Sequence, residues 1–590
     1  MAGLAAGAGV GSCGAGDRGG FGRGTAGKEQ PAIGVDWGGG RRGPIASAML
    51  LPDRATFESV LERARGADAA RVVAIPLSVR LLGDQLTPVL AYRRLVAGDA
   101  RPEPSFLLES VEGGERQGRY SIMGAQPIGR VIARGSSIER TGWAARGPDA
   151  DGDPLGVLRA LSATVRLELP PRTGVRPLGP GCVLGGWFGY ASYDSVRYAE
   201  PEKLPFDAAP RDDRALPDVD FGFYDGVVVF DHVDKLVYVV QLALVEPGAD
   251  GSSAYDAARE RLMSRAAALS THARPLPLGV MPPEATPGAM RSNLTRQWHE
   301  TMVRKAKEYI AAGDIFQVVL GQRFERESAA DPFDVYRALR AVNPSPYMVY
   351  MQCSGCILVA SSPEILCRVR RVPAGDSSAA APARADALVL TNRPLAGTRR
   401  RGSTPAEDLA LERELLADPK ERAEHIMLVD LGRNDVGKVC VPGSIALPRV
   451  MEVERYSHVM HISSTVTGEL RAGLNCWDAL RACLPVGTIS GAPKIRAMQI
   501  IDELEPARRG PYCGSIIWIG DDGTLVASVA IRTAALTTTG RAHEWGWSYG
   551  VGAGIVADSD PEAEWRETIT KAGILRHLGG EPERAGDALA

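Results

Sequence analysis

The stretch from Gly550 to Lys571 constrains the fold of this chain more than any other. Alternating glycines open an apolar run that ends at Asp560-Pro561. Asp is a good residue to cap a helix, and Pro fits its first position. The sequence therefore predicts that a helix begins here.

Along that helix, Glu564, Glu567 and Lys571 fall on one face. Two neighbouring carboxylates attract a cation, and the glycines before the helix let a ligand approach the backbone closely. The alternative is a solvated face on which Glu567 and Lys571 form an i, i+4 ion pair.

Composition excludes several classes of protein. The chain of 590 residues has a formal net charge of -3, which gives no reason to expect nucleic acid. It contains no apolar run of about eighteen residues, the length that spans a membrane. The nine cysteines are scattered, and the close pair Cys353 and Cys356 lacks the further ligands of a zinc site, so we expect reduced thiols. No cysteine lies in a glycine-flanked elbow of the amidotransferase type.

Five segments follow one another along the chain. Residues 1–48, rich in Gly and Ala and poor in acidic residues, predict a disordered leader, either a plain tail or a transit peptide. Residues 49–265 contain short apolar strands, among them 221–230 and 236–245. A Pro- and Ala-rich linker over 266–296 leads to a second region, 297–580, and a tail, 581–590. Strands joined by short turns, without regular alternation with helices, predict the α+β class.

A second capped helix begins at Asp418-Pro419 and carries Glu424 on the same face as Leu428 and Leu431. A carboxylate on an apolar stripe needs a cation or hydrogen-bond donors. If Glu424 met Glu564 across a cleft, the two would suit Mg²⁺, which takes few carboxylates and completes its shell with water and substrate oxygens. The alternative is a helix-margin Glu paired with Arg422 or His425.

Other segments place reactive groups at the ends of apolar strands. Glu364 follows Ser361-Ser362-Pro363 at a predicted sheet edge, where a general acid or an ordinary turn carboxylate fits equally. His461 follows an apolar pair, although a lone histidine is more often structural. Gly487 to Lys494 is similar to a ligand-cradling loop but lacks the nucleotide P-loop pattern. Arg532 ends another apolar strand and suits a planar carboxylate.

Four segments identify a family resemblance. They are Pro394 to Thr398, Glu424 to Asp435, Gly487 to Lys494, and Gly552-Ala553-Gly554. Together they resemble the chorismate-utilising enzymes, and among these the large subunit of anthranilate synthase, over nearly all of residues 75–578. Stretches such as Leu86 to Tyr92 and Cys356 to Glu364 resemble the plastid-type form. The resemblance implies large antiparallel β-sheets packed as a sandwich with helices outside.

The resemblance also implies site residues and a magnesium requirement. Chorismate would receive ammonia at ring C2, lose its C4 hydroxyl and eliminate pyruvate to give anthranilate. Glu364 would protonate the departing hydroxyl, and His461 would assist the elimination of pyruvate. Glu424 and Glu564 would hold Mg²⁺, with Glu567 supporting the metal shell. The matching substrate-binding positions are Gly397, Thr398, Thr488, Tyr512, Arg532, Gly552, Gly554 and Lys571.

Two positions separate this activity from related ones. Isochorismate and salicylate synthases carry a lysine base where this chain has Gln317, and aminodeoxychorismate synthases usually carry a nucleophilic lysine where it has Ala396. Anthranilate is therefore the expected product. The alternatives are an aminodeoxychorismate synthase component that works without the lysine, and an inactive tryptophan-binding homologue.

The resemblance finally implies regulation and partners. Segments matching the family's tryptophan site are present at 107–110 and 343–348, so we expect tryptophan to inhibit allosterically through Ser110, Pro346, Tyr347 and Met348. The alternative is that these residues only pack an interface. Ammonia would come from a glutamine amidotransferase small subunit, in a heterotetramer of two large and two small subunits. A plastid location is expected if the leader is a transit peptide, and a cytoplasmic one otherwise.

Overall fold

Two large β-sheets position every candidate residue. The computed structural model describes residues 50–68, 70–96, 103–112, 116–148, 152–171, 183–270, 276, 290–372, 387–456, 459–541 and 543–573. The predicted leader and tail lie outside these residues, as do 271–275 and 277–289 of the predicted linker.

The described residues contain twelve α-helices. They are α1 (Arg54–Ala67), α2 (Pro88–Leu95), α3 (Pro154–Ala163), α4 (Val196–Ala199), α5 (Gly251–Leu269), α6 (Arg296–Ala311), α7 (Pro332–Val342), α8 (Pro405–Ala417), α9 (Pro419–Gly437), α10 (Cys476–Cys483), α11 (Lys494–Leu504) and α12 (Pro561–Ala572).

The first half of the described chain contains strands β1 (Val72–Leu82), β2 (Ser105–Glu109), β3 (Val111–Glu112), β4 (Arg116–Gln117), β5 (Tyr120–Ala125), β6 (Gly129–Arg134), β7 (Ser137–Gly142), β8 (Val165–Leu167), β9 (Gly186–Ala191), β10 (Val219–Tyr224), β11 (Gly226–Asp231), β12 (Leu236–Val245) and β13 (Arg291–Ser292). The second half contains β14 (Gln317–Ser328), β15 (Tyr347–Gln352), β16 (Ile357–Ser362), β17 (Ile365–Val372), β18 (Ala387–Asn392), β19 (Leu395–Arg400), β20 (Ala446–Arg455), β21 (Val459–Glu469), β22 (Gly491–Ala492), β23 (Ser515–Gly520), β24 (Leu525–Val529), β25 (Thr533–Thr538) and β26 (Trp545–Ile555).

The larger sheet has the order β13-β14-β26-β25-β16-β15-β2-β5-β11-β12-β1-β8, with β22 paired to β14. The smaller sheet has the order β19-β21-β18-β17-β24-β23-β9-β10-β6-β7, with β20 paired to β21. Among the described strands, β1 and β8 form a parallel pair and the other neighbours are antiparallel. The predicted α+β class with large antiparallel sheets is confirmed.

The two sheets pack face to face through an apolar layer. Phe106 of β2 in the larger sheet stacks on Phe188 of β9 in the smaller one, with ring centroids 3.9 Å apart. A buried cluster of residues from both sheets surrounds this pair. Helices pack on the outer faces, α5 against β12 and α12 against β26. This is the sandwich that the family resemblance implied.

Strands from both predicted regions enter both sheets. β2 pairs with β15 in the larger sheet, and β9 pairs with β23 in the smaller one. The two predicted regions therefore follow each other along the chain but share both sheets, and the boundaries between them stay a prediction. α5 continues to Leu269, inside the predicted linker.

Local signals in the sequence predicted several elements and misjudged one. Asp560 caps α12 by accepting a hydrogen bond from the Ala563 amide at 2.9 Å, and Asp418 caps α9 in the same way. The single strand predicted over 221–230 is wrong, because the chain passes from the smaller to the larger sheet at Asp225 and forms two strands. Among the described residues, no helix has the length and apolar character needed to cross a membrane.

Candidate active site

Two connections between the sheets form the centre of the site. β16 and β24 end close together, and the chain then crosses to the other sheet in each case. The Ser361 amide donates to the Arg532 carbonyl at 3.1 Å, and the Val529 amide donates to the Glu364 carbonyl at 3.0 Å. The Ser362 hydroxyl donates to the Val529 carbonyl at 2.6 Å. These bonds connect the backbone segments that carry Glu364 and Arg532, and Glu364 follows the end of β16 as predicted, in the connection between the two sheets.

Glu364 is a buried carboxyl group with one hydroxyl partner. It is 5 % exposed, and its Oε1 accepts a hydrogen bond from Thr488 Oγ1 at 2.7 Å. Burial disfavours the charged form and raises the pKa of Glu364 to about 8, although the Thr488 bond opposes this. Glu364 is therefore largely protonated at neutral pH, as a general acid must be.

Thr488 lies in a short 3₁₀ helix, Gly487–Ile489, that is fixed against β14. The Val319 amide donates to the Ser490 carbonyl at 2.9 Å, and β22 continues this pairing. Lys494, at the end of the predicted ligand-cradling segment, instead donates to Asp435 at 2.6 Å. The loop thus presents Thr488 to Glu364, and its lysine binds α9 to α11.

His461 contacts the predicted Gly397-Thr398 segment. Its Nδ1 lies 2.9 Å from the Gly397 carbonyl and 3.0 Å from Thr398 Oγ1. A carbonyl can only accept, so Nδ1 carries the proton and Nε2 is the basic nitrogen. Burial, with Arg532 and Lys571 nearby, lowers the pKa of His461, and the ring is neutral at pH 7.

Two cations face the same space. Arg532 has a φ of +52°, in the left-handed region that a bulky residue rarely occupies, and strained residues often lie at functional sites. No described residue accepts a hydrogen bond from its guanidinium group. Lys571 of α12 donates to the Gly552 carbonyl at 2.8 Å and pairs with Glu567 at 2.6 Å. Glu567 therefore forms the ion pair that was the alternative to a metal role.

Glu424 of α9 and Glu564 of α12 lie close enough to interact. Burial is the main reason that the pKa of each is raised. The charge of Lys420 lowers the pKa of both, whereas that of Glu564 raises the pKa of Glu424. The alternative partners of Glu424 are engaged elsewhere, since Arg422 donates to the Leu416 carbonyl and His425 Nε2 lies 2.7 Å from Ser464 Oγ. Two half-buried carboxylates that repel each other fit a divalent cation, which would relieve the repulsion. In the described part of the chain, no three acidic, His or Cys side chains cluster tightly enough to form a site without other ligands.

The alternating glycines of β26 make room for an aromatic ring as well as for a ligand. A Cβ on Gly550 would lie 2.1 Å from Tyr512 Cγ, and a Cβ on Gly552 would lie 2.9 Å from Tyr512 Oη. A Cβ on Gly554 would lie 2.7 Å from Gln317 Nε2. The predicted substrate residues Tyr512 and Gly552 thus lie against each other, and Gly554 lies against Gln317.

The predicted tryptophan segments lie side by side at a different place. β2 and β15 pair so that Met348 is opposite Glu109, the neighbour of Ser110. Tyr347 is opposite Ser362, two residues from Glu364, and Pro346 directly precedes β15. The pairing brings the two segments together, while their binding of tryptophan stays a prediction.

Sequence reasoning missed the buried pair Arg509 and Glu505, which lies behind Tyr512. Arg509 Nε donates to Glu505 Oε2 at 2.9 Å, and its guanidinium carbon lies 5.8 Å from the centre of the Tyr512 ring. The only sequence signal is the adjacent arginines before Gly510-Pro511-Tyr512, which also fit an exposed loop.

Comparisons with known proteins show the family of this chain. A family model for the chorismate binding enzyme matches residues 103–577. The chain is 48 % identical over 522 residues to an anthranilate synthase alpha subunit 2, chloroplastic, of Arabidopsis thaliana, covering 85 % of this chain and 80 % of that protein. It is 45 % identical over 585 residues to an alpha subunit 1, chloroplastic, of Oryza sativa subsp. indica, covering 93 % and 96 %. The crystal structure of anthranilate synthase component I from Streptococcus pneumoniae has a TM-score of 0.62 at 31 % identity, covering 84 % of this chain and 99 % of that one.

Proposed function

The chain belongs to the chorismate-binding enzyme family, and we propose that the cleft around Glu364, His461 and Arg532 is its active site. It acts as an anthranilate synthase large subunit, converting chorismate to anthranilate in tryptophan biosynthesis. The observation that carries the site assignment is the buried carboxyl group of Glu364, which lies at a connection between the two sheets, accepts a hydrogen bond from Thr488 and has a raised pKa.

Glu364 donates its proton to the C4 hydroxyl of chorismate as ammonia forms a bond to ring C2, so that the oxygen leaves as water. Thr488 orients this carboxyl group through the 2.7 Å hydrogen bond. A positioned acid of this kind contributes roughly 10² to 10⁴-fold to a rate.

His461 accepts a proton in the second step. When the bond between C3 and the enolpyruvyl oxygen breaks, the hydrogen on C2 departs as a proton, and the ring becomes aromatic. The enolate that leaves takes up a proton at its methylene carbon and becomes pyruvate. Nε2 is available for this proton because Nδ1 donates to the Gly397 carbonyl. The lowered pKa keeps the imidazole in its basic form at pH 7.

The remaining residues bind the substrate. Arg532 provides a guanidinium group for a planar carboxylate, and Lys571 adds a second positive charge on the Gly552 side of the cleft. Tyr512, Gly552 and Gly554 line the ring. Gly397 and Thr398 of β19 and Thr488 of the 3₁₀ helix face it.

Glu424 and Glu564 would hold Mg²⁺, with Glu567 in the second sphere. When bound, the cation would neutralise the carboxylate charge of chorismate. Mn²⁺ binding, followed by electron paramagnetic resonance, tests this without turnover. Glu424→Gln and Glu564→Gln should each weaken it, whereas Glu562→Gln, on the same helix but paired with Arg566, should not.

The assignment is tested by the product that the whole chain makes from chorismate, ammonium and Mg²⁺. Anthranilate, detected by its fluorescence and by chromatography, is the expected product. Aminodeoxychorismate or isochorismate in its place, or no product from a folded chain, would overturn the assignment.

Nitrogen supply and regulation complete the proposal. Ammonia from glutamine requires a separate amidotransferase small subunit, in a heterotetramer of two large and two small chains, so glutamine alone should give no anthranilate. Tryptophan should bind at Ser110, Pro346, Tyr347 and Met348 and inhibit. The names of the plant relatives support a plastid location for this chain.

A further inference from the structure

The buried cation Arg509 contacts three parts of the site at once. Its guanidinium group donates to the Ile489 carbonyl at 2.8 Å and to the Val319 carbonyl at 2.6 Å. It also forms an ion pair with Glu505, whose Oε1 accepts from the Gly321 amide at 2.7 Å. Arg509 thus connects the Thr488 loop to β14 from behind.

Arg509 also contacts two aromatic rings. Its guanidinium carbon lies 4.7 Å from the centre of the Tyr193 ring and 5.8 Å from that of Tyr512. The charged and titratable groups that face it are Glu505, Tyr193, Tyr512 and Cys513. A buried guanidinium group that donates hydrogen bonds to backbone carbonyls and to a carboxylate restricts the movement of the segments that carry them.

We propose that Arg509 is a positioning residue that keeps the Thr488 loop at the distance at which Thr488 hydrogen-bonds Glu364. The inference rests on the role proposed for Glu364 and extends it to a residue that does not touch the substrate. The distance is set from behind, because the loop carbonyl of Ile489 and the β14 carbonyl of Val319 accept from the same guanidinium group.

The proposal predicts that a displaced Thr488 loop changes the pKa of Glu364. Burial and the Thr488 hydrogen bond set its protonation, and the bond favours the charged form. No charged side chain contributes among the described residues. A loop that moves away from Glu364 would remove the bond and raise the pKa of Glu364 above about 8.

The experiment measures the carboxyl group of Glu364 by infrared titration of the whole chain, with Glu364→Gln in each background as the reference. Arg509→Lys should raise the pKa of Glu364 as much as Thr488→Val does, and the double variant should show no further rise. The kcat of Arg509→Lys should fall roughly 10- to 100-fold, as expected for a misplaced group.

Two further variants make the test decisive. Arg197→Lys is the matched control, because Arg197 is equally buried and paired with Asp194 and Asp502 but does not contact the loop or β14. It should leave the pKa of Glu364 unchanged. If Arg509→Lys does not fold, Glu505→Gln, which keeps the guanidinium group, should raise that pKa by a smaller amount.

An unchanged pKa of Glu364 in folded Arg509→Lys or Glu505→Gln would overturn the inference, and so would a further rise in the double variant. A wild-type chain that makes no anthranilate would instead contradict the proposed function. The infrared readout does not depend on turnover, so the two failures are distinguishable.

Discussion

Two glutamates of nearly equal burial have opposite surroundings in this protein. Glu109, at the end of β2, is 6 % exposed, and Glu364, between the sheets, is 5 % exposed. Glu109 pairs with Arg340 at 2.6 Å and accepts from Tyr336 Oη at 2.7 Å. Among the described residues, the carboxyl group of Glu364 has the hydroxyl group of Thr488 as its hydrogen-bond partner.

The difference shows that burial alone does not make a carboxyl group reactive. At Glu109 the fold supplies a cation from α7, and the ion pair connects β2 to that helix. Among the described residues, no cation pairs with Glu364, so this carboxyl group keeps its proton until it protonates the substrate. The same residue type is therefore structural in one region and reactive in the other.

The largest effect is expected when Glu364 is replaced by Gln. Glu364→Gln has no proton to donate at the required acidity, so kcat should fall roughly 10² to 10⁴-fold. The buried amide is neutral, like the protonated acid, and the fold should persist. Initial rates of anthranilate formation and a circular dichroism melt measure both effects. A variant that retains more than half of the wild-type kcat would contradict the role of Glu364.

The activity of the wild-type chain should decline in alkaline solution. The pKa of Glu364 is raised, so the acid form is present below about pH 8 and is lost as the pH rises through this value. At saturating ammonia, kcat should fall by about tenfold per pH unit beyond the pKa, as for any required acid. A kcat that stays constant from pH 7 to 10 would contradict a protonated Glu364.

Glu109→Gln should act on stability instead. The amide cannot neutralise Arg340, so a partly buried cation is left without its counter-ion. The free energy of unfolding should fall by about 1–3 kcal/mol, as for other unpaired buried groups. Urea unfolding measures this loss, and the kcat of the folded variant should match that of the wild type. A tenfold loss of kcat without a loss of stability would contradict a structural role for Glu109.

The smallest effect is expected at Ser110. If its hydroxyl group hydrogen-bonds tryptophan, Ser110→Ala should raise the tryptophan concentration for half-inhibition about two- to tenfold, the equivalent of one hydrogen bond. Turnover without tryptophan should be unaffected. Ser137→Ala, on the exposed face of β7, is the control. Equal inhibition of all three chains would count against the predicted tryptophan site.

Local signals in the sequence predicted much of the architecture. Asp-Pro pairs determine where α9 and α12 begin, because a cap and a proline act on adjacent residues. The strand predicted at 236–245 is confirmed, since its apolar run is bounded by turn residues on both sides. The change of sheet at Asp225 was not predictable, because it depends on which distant strands accept each half.

The candidate site also contains features that the sequence could predict and features that it could not. Glu364 was predicted as an acid or a turn carboxylate, and only burial between two sheets distinguishes these. The proximity of Glu424 and Glu564 depends on how α9 and α12 pack, which no spacing encodes. Arg509 was missed because its partners Val319 and Ile489 are backbone carbonyls, and these carry no side-chain signal.

The most direct test of the account is the protonation of Glu364 at pH 7. Infrared difference spectra compare the wild type with Glu364→Gln. We predict that Glu364→Gln removes a protonated carboxyl band that titrates near pH 8. A carboxylate band lost with Glu364→Gln at pH 7 would contradict the central claim.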